Sequence, residues 1–504
     1  FCFIDIMQPL LTSSQIKAAD AYTIAHEPIA SIDLMERAAK AFVECFIAHF
    51  PDKERSIAIY CGTGNNGGDG LAIARLLHKA HYQNINVKIA RFSDKSTGDF
   101  NTNLQKLTGI KVIELTNAGD LIEEKADLII DSLLGTGLNK PLSGNYKRLV
   151  DHLNSLGNEV VAVDIPTGFF SDGEIDSDAT ILKAKLVITF QQPKINFLLP
   201  ESAPHLDGFE VADIGIKPEY LQKQNSPYQL VQQADIRAKL KPRKAFTHKG
   251  TYGHALIIAG QPETIGAALL CSSACAHTGA GLTTACIPES GLIALNTHLP
   301  EVMAMVRKEG ASPKIEWDKF TTVAIGPGLG KQNDALKLLQ TAFLELNKPM
   351  VIDADALNLM ADNYLYKTIP AHSIITPHVK EFDRLFGEHK NWWQRIVTMA
   401  HKAKEYQLYI VLKNQYTMIG TPDGKVYFNQ TGNPAMASGG MGDVLTGVIV
   451  SLLAQSYTPE EACIIGTYIH GMAGDDLALP HKLSTVLAGD VARHIPVMLA
   501  KLRA

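Results

Sequence analysis

The chain has 504 residues, 46% hydrophobic and 20% charged, which is ordinary globular material and enough for two or three domains. Its 47 Lys and Arg against 52 Asp and Glu give a net charge of −5, so there is no general basic surface for nucleic acid or an anionic membrane, and the longest apolar run, VLTGVIVSLLA, is too short to span a bilayer. The seven cysteines are odd in number and show no C-x-x-C pairing, so free thiols in a reducing cytosol are expected, with Cys271 and Cys275 on one helix face as packing residues.

In chain order, the opening FCFIDIM carries Asp5 and no basic residue, which makes a poor signal peptide and leaves Met7 as a candidate start. Two amphipathic helices follow, SQIKAADAYTIAH and SIDLMERAAKAFVECFIAHF. Next comes an apolar, β-prone stretch, SIAIYC, then the loop GTGNNGGDG (62–70), then LAIARLLHKA with helical spacing. Gly62, Gly64 and Gly67 have the G-x-G-x-x-G spacing of a dinucleotide fingerprint in a strand-to-helix context. Two features argue against a pyrophosphate there. Asp69 is expected among the N–H groups at the helix start, where it would repel an anion. The next strand, INVKIARF, ends at Arg91 with no acid before Asp94 to hold a ribose.

ADLIIDSLLGTGL, NEVVAVDIPTGF and AKLVITF each predict a buried strand followed by a polar loop, as in a parallel sheet covered by helices. IKPEYLQKQNSPYQLVQQ is rich in Gln and Pro and lacks apolar periodicity, which puts a domain boundary within 217–234. The basic RAKLKPRKAFTHK (237–249) reads as a solvated connecting segment. A second α/β series follows: GHALIIAG, TTVAIGPGLG, MVIDADALN, SIITPHVKEF and LYIVLKN, then a glycine loop before VLTGVIVSLLA. The expected architecture is α/β, with two tandem domains.

Ligands of open α/β sheets sit at the carboxyl ends of strands. Asn65, Asn66 and Asp69 follow one predicted strand, Asp131 ends another, and Asp164 with Thr167 follows a third. Asn amides suit a carboxamide or sugar hydroxyls, and the clustered oxygens equally suit a hard cation. Each loop alone is also compatible with plain turn chemistry. In TGNPAMASGGMGDVLTG (431–447), Gly439, Gly440 and Gly442 free backbone N–H groups to face an anion at a helix start. Asp443 there can take a proton from an attacking hydroxyl during phosphoryl transfer, or serve only as an N-terminal helix acid. Lys413 and Glu381 are candidate phosphate and Mg²⁺ partners.

GNNGGDG, DSLLGTGLNKPLSG, VDIPTG and VADIGI in the first half, and KGTYGHALIIAG, GPGLG, VIDADALN, TPHVKEF and TGNPAMASGGMGDVLTG in the second, resemble in order the motifs of the bifunctional NAD(P)H-hydrate repair family. That family joins an epimerase to an ADP-dependent dehydratase of the ribokinase-like superfamily. The resemblance implies two tandem three-layer domains: a Rossmann-like epimerase domain over 1–225 and a ribokinase-like dehydratase domain over 226–504. It implies hydrate binding at Asn65, Asn66, Gly67, Gly68 and Asp69, at Gly135, Thr136, Gly137, Leu138, Asn139, Lys140 and Pro141, and at Tyr146 and Asp164, with K⁺ at Asn66, Asp131 and Thr167. Asp164 is the nearest carboxylate for the epimerising proton. In the second half it implies hydrate contacts at Ala267, Gly328, His378 and Asp443, with Asp443 as base. ADP would lie on Lys413, Asn414, Gln415, Tyr416 and Thr417 and on Asn433, Gly439, Gly440, Met441 and Gly442, with Mg²⁺ at Glu381.

The implied reaction interconverts R and S forms of NADHX and NADPHX, the hydrates of NADH and NADPH, and dehydrates the S form at the expense of ADP, giving AMP and phosphate. A cytoplasmic homo-oligomer without nucleic-acid or membrane partners is expected. The chain departs from the family pattern at GQPETIGA, at Lys413-Asn414 where Lys-Gly is usual, at Met441 where Thr is usual, and at PKINF, where Pro-Lys and a glycine are common. A sugar or vitamin-precursor kinase with a regulatory N-terminal domain is the alternative, marked by ATP preference and a phosphorylated product; a non-catalytic nucleotide-binding protein is a second.

Overall fold

The computed structural model describes residues 7–27, 29–117, 124–308 and 313–503, so the opening FCFIDI lies outside the described residues. The chain forms two compact units, one built mainly from Pro9–Ser226, the other mainly from Pro227–Lys390 and Gln394–Ala504.

The elements up to residue 226 are β1 (Gln8–Pro9), α1 (Ser13–His26), α2 (Ser31–His49), β2 (Ile57–Cys61), α3 (Asn65–Lys79), β3 (Ile85–Ala90), α4 (Gly98–Lys106), β4 (Lys111–Leu115), β5 (Leu128–Ser132), α5 (Gly144–Leu156), β6 (Glu159–Val163), β7 (Leu186–Phe190), β8 (Phe209–Ala212) and α6 (Pro218–Gln222). Among the described residues, seven strands form one sheet in the order β4-β3-β2-β5-β6-β7-β8, and every pair is parallel. On one face Ile57, Ile59 and Ile130 pack with Phe42 and Phe46 of α2 and Leu71 and Leu77 of α3; on the other Ala58, Tyr60 and Ile129 pack with Leu149, Val150 and Leu153 of α5. Burial on both faces is why these strands read as continuous apolar runs. The strand order reverses between β2 and β5, which opens a crevice at their carboxyl ends.

The glycines of GTGNNGGDG are packing residues. A Cβ on Gly67 would enter the carbonyl of Gly62, one on Gly62 would enter the carbonyl of Leu133, and one on Gly70 would come 2.6 Å from Cβ of Ser132. They let α3 lie directly against β2 and the end of β5. Helix α3 already begins at Asn65, so Asp69 sits one turn inside it and not among the free N–H groups of its start, as the sequence suggested. Asn65 and Asn66 occupy that first turn.

The remaining elements are β9 (Tyr228–Val231), α7 (Gln233–Lys239), β10 (His254–Ile258), α8 (Ile265–Thr278), β11 (Leu282–Pro288), α9 (Leu292–His298), β12 (Met303–Arg307), β13 (Thr322–Ile325), α10 (Asn333–Glu345), β14 (Val351–Ile352), α11 (Asp355–Asp362), β15 (Ile374–Ile375), α12 (Val379–Phe386), α13 (Trp392–Tyr406), β16 (Tyr409–Leu412), β17 (Met418–Gly420), β18 (Val426–Asn429), α14 (Met441–Ala454), α15 (Pro459–Ala478) and α16 (Ala488–Arg503). Their sheet runs β1-β9-β18-β17-β16-β15-β14-β13-β10-β11-β12, with parallel pairing from β12 to β16 and antiparallel pairing through β17 and β18. Ala255, Ile257, Ala324 and Val351 pack in one core with α8, α14, α15 and α16, and Cys271 and Cys275 are fully buried there. Leu256, Ile258, Val323 and Ile325, alternating with that set, are equally buried, so this sheet too is covered on both faces. The order reverses again between β10 and β13.

The stretch IKPEYLQKQNSPYQLVQQ contains α6 and β9, and β9 pairs in parallel with β18. Four residues are too few to display the alternation that marks a strand. The basic segment after it is partly stacked: Lys241 lies over the Tyr457 ring and Arg243 over the Tyr252 ring, while Phe246 is fully exposed. The described cysteines are free, and among the described residues no helix is long and apolar enough to cross a membrane.

Candidate active sites

In the N-terminal unit the crevice between β2 and β5 deepens into a cavity of about 710 Å³. Asn65, Asn66, Asp69, Gly135, Thr136, Gly137, Leu138 and Asp164 line it, so the three loops singled out in the sequence meet. Gly67 and Gly68 lie behind it, Gly68 against Met35. Asn139, Lys140 and Pro141 are exposed outside its wall, and Tyr146 stacks edge-on against Phe92.

Asp164 follows β6 and has a left-handed backbone, φ 63°. Its Oδ1 accepts hydrogen bonds from Phe190 N (2.9 Å) and Thr189 Oγ1 (3.1 Å) and lies 2.7 Å from the Lys194 ammonium. Lys194 is only 1% exposed, so Asp164 is an ion-paired carboxylate. Asp69 has no such partner among the described residues; burial, then the charges of Asp164 and Asp20, hold its carboxyl well above the ordinary range.

Asp131 is buried at the end of β5. Its Oδ2 accepts from Thr167 N (2.7 Å), and its Oδ1 accepts from Thr167 Oγ1 (2.7 Å) and Leu133 N (3.2 Å). Burial still pushes this carboxyl up to about 6. Asn66 is tied to the same loop by the Ser132 hydroxyl, which donates to its carbonyl, and its Nδ2 is buried without a partner. Turned over, that amide presents an acceptor. With the Asp131 and Thr167 oxygens, the donor set then fits a hard cation.

In the C-terminal unit a cleft of about 280 Å³ brings together Lys413, Asn414, Gln415, Thr417, Asn433, Met441 and Gly442; Tyr416, Gly439 and Gly440 do not line it. Gly440 is the N-cap of α14 at φ 90°, a conformation that favours glycine, and the first-turn amides beyond it have no intrahelical partner. Asn433 Nδ2 donates to Asp475 Oδ1 (2.8 Å), which fixes the loop before the cleft.

Lys413 follows β16, and its ammonium donates to Asp353 Oδ1 at 2.8 Å; Thr446 Oγ1 donates to Asp353 Oδ2, also at 2.8 Å. Burial alone would lower the Lys413 pKa, but Asp353 and Glu381 hold it above its ordinary value. A Cβ on Gly442 would lie 3.3 Å from that ammonium nitrogen, so the glycine loop and the lysine abut. Asp443, in the first turn of α14, has its carboxyl pushed up to about 7 by burial and then by the charge of Asp353. That value suits a general base near neutral pH.

Gly328 and Ala267 are neighbours, with Thr264 Oγ1 donating to Gly328 O (2.7 Å). His378 bridges to Lys413 and caps α12, its Nδ1 accepting from Lys380 N and Glu381 N. Burial, then Lys413, lowers its pKa, keeping the ring neutral and able to cap. Glu381 completes the capping box: its Oε2 accepts from His378 N (2.9 Å), and only Oε1 stays off the backbone.

Four residues at these sites went unnoticed in the sequence: Asp20, Lys194, Asp353 and His470. Asp20 lies on the inward stripe of α1 with Ile16 and Ile24, and an acid within that stripe was the available signal. His470 lines the cleft with its Nε2 buried and unpartnered, burial lowering its imidazole to about 4.

Residues 31–196 match the family model described as YjeF-related protein N-terminus, and residues 255–497 that described as NAD(P)H-hydrate dehydratase. The bifunctional NAD(P)H-hydrate repair enzyme of Moorella thermoacetica is 35% identical, the match covering 98% of this chain and 97% of that protein; its counterpart in Vibrio cholerae is 34% identical, with 98% and 100% covered. Among solved structures, the ADP/ATP-dependent NAD(P)H-hydrate dehydratase of Bacillus subtilis co-crystallized with ATP and Mg²⁺ is 30% identical, with a TM-score of 0.48 over 54% of this chain and 97% of that chain. Two crevices of the expected chemistry, in order along one chain and matched over nearly its whole length, place this protein in the family of bifunctional NAD(P)H-hydrate repair enzymes.

Proposed function

We propose that residues 1–225 interconvert the R and S forms of NADHX and NADPHX, and that residues 226–504 dehydrate the S form to NADH or NADPH, converting ADP to AMP and phosphate. One observation carries the second half: Asp443, with its carboxyl near 7, stands in the first turn of α14 beside the Lys413 ammonium and the glycine amides.

The ring hydroxyl of the hydrate is a poor leaving group, and phosphorylation makes it a good one. Asp443 takes the hydroxyl proton, and that oxygen attacks the β-phosphorus of ADP. The amides around Gly442, with Lys413, carry the charge spread over the transferring phosphoryl oxygens. Phosphate then departs as the ring nitrogen donates its lone pair, and loss of a ring proton restores the dihydronicotinamide. Ala267, Gly328 and His378 would contact the hydrate, and Lys413 to Thr417 with Asn433 and Gly439 to Gly442 would hold ADP. Mg²⁺ usually takes one or two carboxylates plus phosphate oxygens, and Glu381 Oε1 fits that use; the ion would neutralise phosphate charge.

In the first half, the loops of Asn65 to Asp69, Gly135 to Pro141 and Tyr146 would seat the nicotinamide hydrate, with Asp164 as a catalytic carboxylate. Asn66, Asp131 and Thr167 would hold K⁺, whose charge compensates the buried Asp131. A cytoplasmic location, supported by the free cysteines, and a homo-oligomeric state belong to the same proposal.

The test is recovery of reduced-nicotinamide absorbance from a mixed-epimer NADPH hydrate with ADP, ATP or neither. Complete recovery with ADP is expected. Recovery that stops at the S fraction overturns the epimerase assignment, and no recovery with either nucleotide overturns the dehydratase assignment.

A further inference from the structure

The cavity of the N-terminal unit receives a carboxyl group that lies on none of its glycine or aspartate loops. Asp20 enters from α1, between Lys17 and Ile24 on the lining, and among the described residues it has neither a hydrogen bond nor an ion pair. The cavity is therefore furnished from two directions: Asp164 from the end of β6 and Asp20 from a helix. Ile16, Leu34 and Met35 make the wall on this side of the cavity largely apolar.

We propose that Asp20 is the second acid–base residue of the epimerase, acting with Asp164 on the carbon that bears the hydroxyl. This rests on reading the N-terminal half as a hydrate epimerase. Asp20 in its acid form gives its proton to the ring hydroxyl. The carbon–oxygen bond breaks, water leaves, and the ring nitrogen lone pair forms a carbon–nitrogen double bond bearing the positive charge. A water molecule then adds to the other face, and the proton it sheds goes to Asp164. The net change is one proton from Asp20 to Asp164, returned through solvent, with no oxidant or reductant involved.

The two carboxyls differ in the way this requires. Asp164 is ion-paired with Lys194 at 2.7 Å, and its Oδ2 makes no contact with that ammonium, which leaves an oxygen to accept. Asp20 has no ion pair among the described residues; burial and then the charge of Asp164, opposed by that of Lys194, raise its carboxyl to about 6, so it holds a proton over a useful range. The charged groups facing it are Asp164, Lys194, Asp69 and Lys17.

The experiment uses the full chain with Asp20→Asn, and follows epimerisation of the R hydrate with the uncatalysed rate subtracted. The expected result is a fall in kcat of ~100-fold or more with KM within about threefold, while dehydration of supplied S hydrate stays at the wild-type rate, which reports an intact fold. Wild-type kcat should decline above pH of about 6, and that decline should be absent from the residual activity of the variant. A variant with wild-type kcat, a rise in KM alone, or an unchanged pH profile overturns the proposal. A wild-type protein that never converts the R hydrate instead overturns the epimerase reading beneath it.

Discussion

Both halves place a lysine–aspartate pair at the carboxyl ends of parallel strands, Lys194 with Asp164 and Lys413 with Asp353, and among the described residues both leave carboxyls nearby without an ion pair and with a raised pKa, Asp20 and Asp69 in the first half and Asp443 in the second. The electrostatic plan is the same, so it does not decide the reaction. The difference lies in the backbone. In the C-terminal unit the unpaired carboxyl sits in the first turn of α14, where uncommitted amides can gather phosphoryl oxygens. In the N-terminal unit Asp20 sits within α1 and Asp69 within α3, and the glycines at the start of α3 are spent on packing against β2 and β5. A pair of carboxyls suffices for moving protons; a pair plus open amides can also move phosphate.

The largest effect that would break this comparison is expected from Asp443→Asn. Dehydration of the S hydrate should fall by about 10²–10⁴-fold, with epimerisation untouched; equal loss of both activities would refute the division of labour. In the wild type, dehydration should rise with pH through about 7, because the base must be ionised, opposite in sign to the epimerase.

Replacing either lysine strands a buried carboxylate. Lys194→Met should destabilise its unit by roughly 3 kcal/mol in denaturant unfolding. Lys413→Met should cost more stability, since the carboxylate it strands, Asp353, is 2% exposed against 14% for Asp164, and should also abolish use of ADP. Equal stability losses would show that burial is not what separates the two pairs.

The glycines separate the halves more finely. Gly67→Ala forces a Cβ into a backbone carbonyl and should cost about 1–3 kcal/mol. Gly442→Ala meets nothing closer than the end of the flexible Lys413 side chain, so the fold should hold within ~0.5 kcal/mol while KM for ADP rises. The smallest effect concerns K⁺. Without a cation, the Asp131 carboxyl near 6 means that the folded state binds its proton more tightly than the unfolded chain, so stability declines as pH rises from about 4 to 6 and stays reduced above. Exchanging K⁺ for tetramethylammonium should lower the melting temperature of the epimerase unit by about 2–4 °C at pH 7.5 and by less at pH 5. An identical shift at both pH values would remove Asp131 from the cation site.

The α/β alternation was legible because fully buried strands are apolar throughout and their loops carry polar residues at one end. What escaped was whatever depends on distant partners. SQIKAADAYTIAH announces an amphipathic helix but not that Asp20 would face a cavity shared with Asp164. VIDADALN offers two acids, and only the fold shows that Asp353 takes Lys413 while Asp355 accepts from Gly330 N. Glu381 is the opposite case: its capping-box spacing from His378 was readable locally, and the structure commits one of its oxygens there. Strand β9 escaped through brevity, since its partner β18 lies almost 200 positions on.

Asp164 at φ 63°, and Ala354 beside Asp353 at φ 52° and ψ −119°, hold backbones that their side chains disfavour by roughly 1–3 kcal/mol. Ala354→Gly therefore relaxes the backbone without breaking a bond, whereas Asp164→Gly would strand the buried Lys194 ammonium and lose more than the strain returns. Libraries ranked on heat resistance alone should accept the first and refuse the second, so selection for robustness leaves the Asp164 corner of the N-terminal cavity in place.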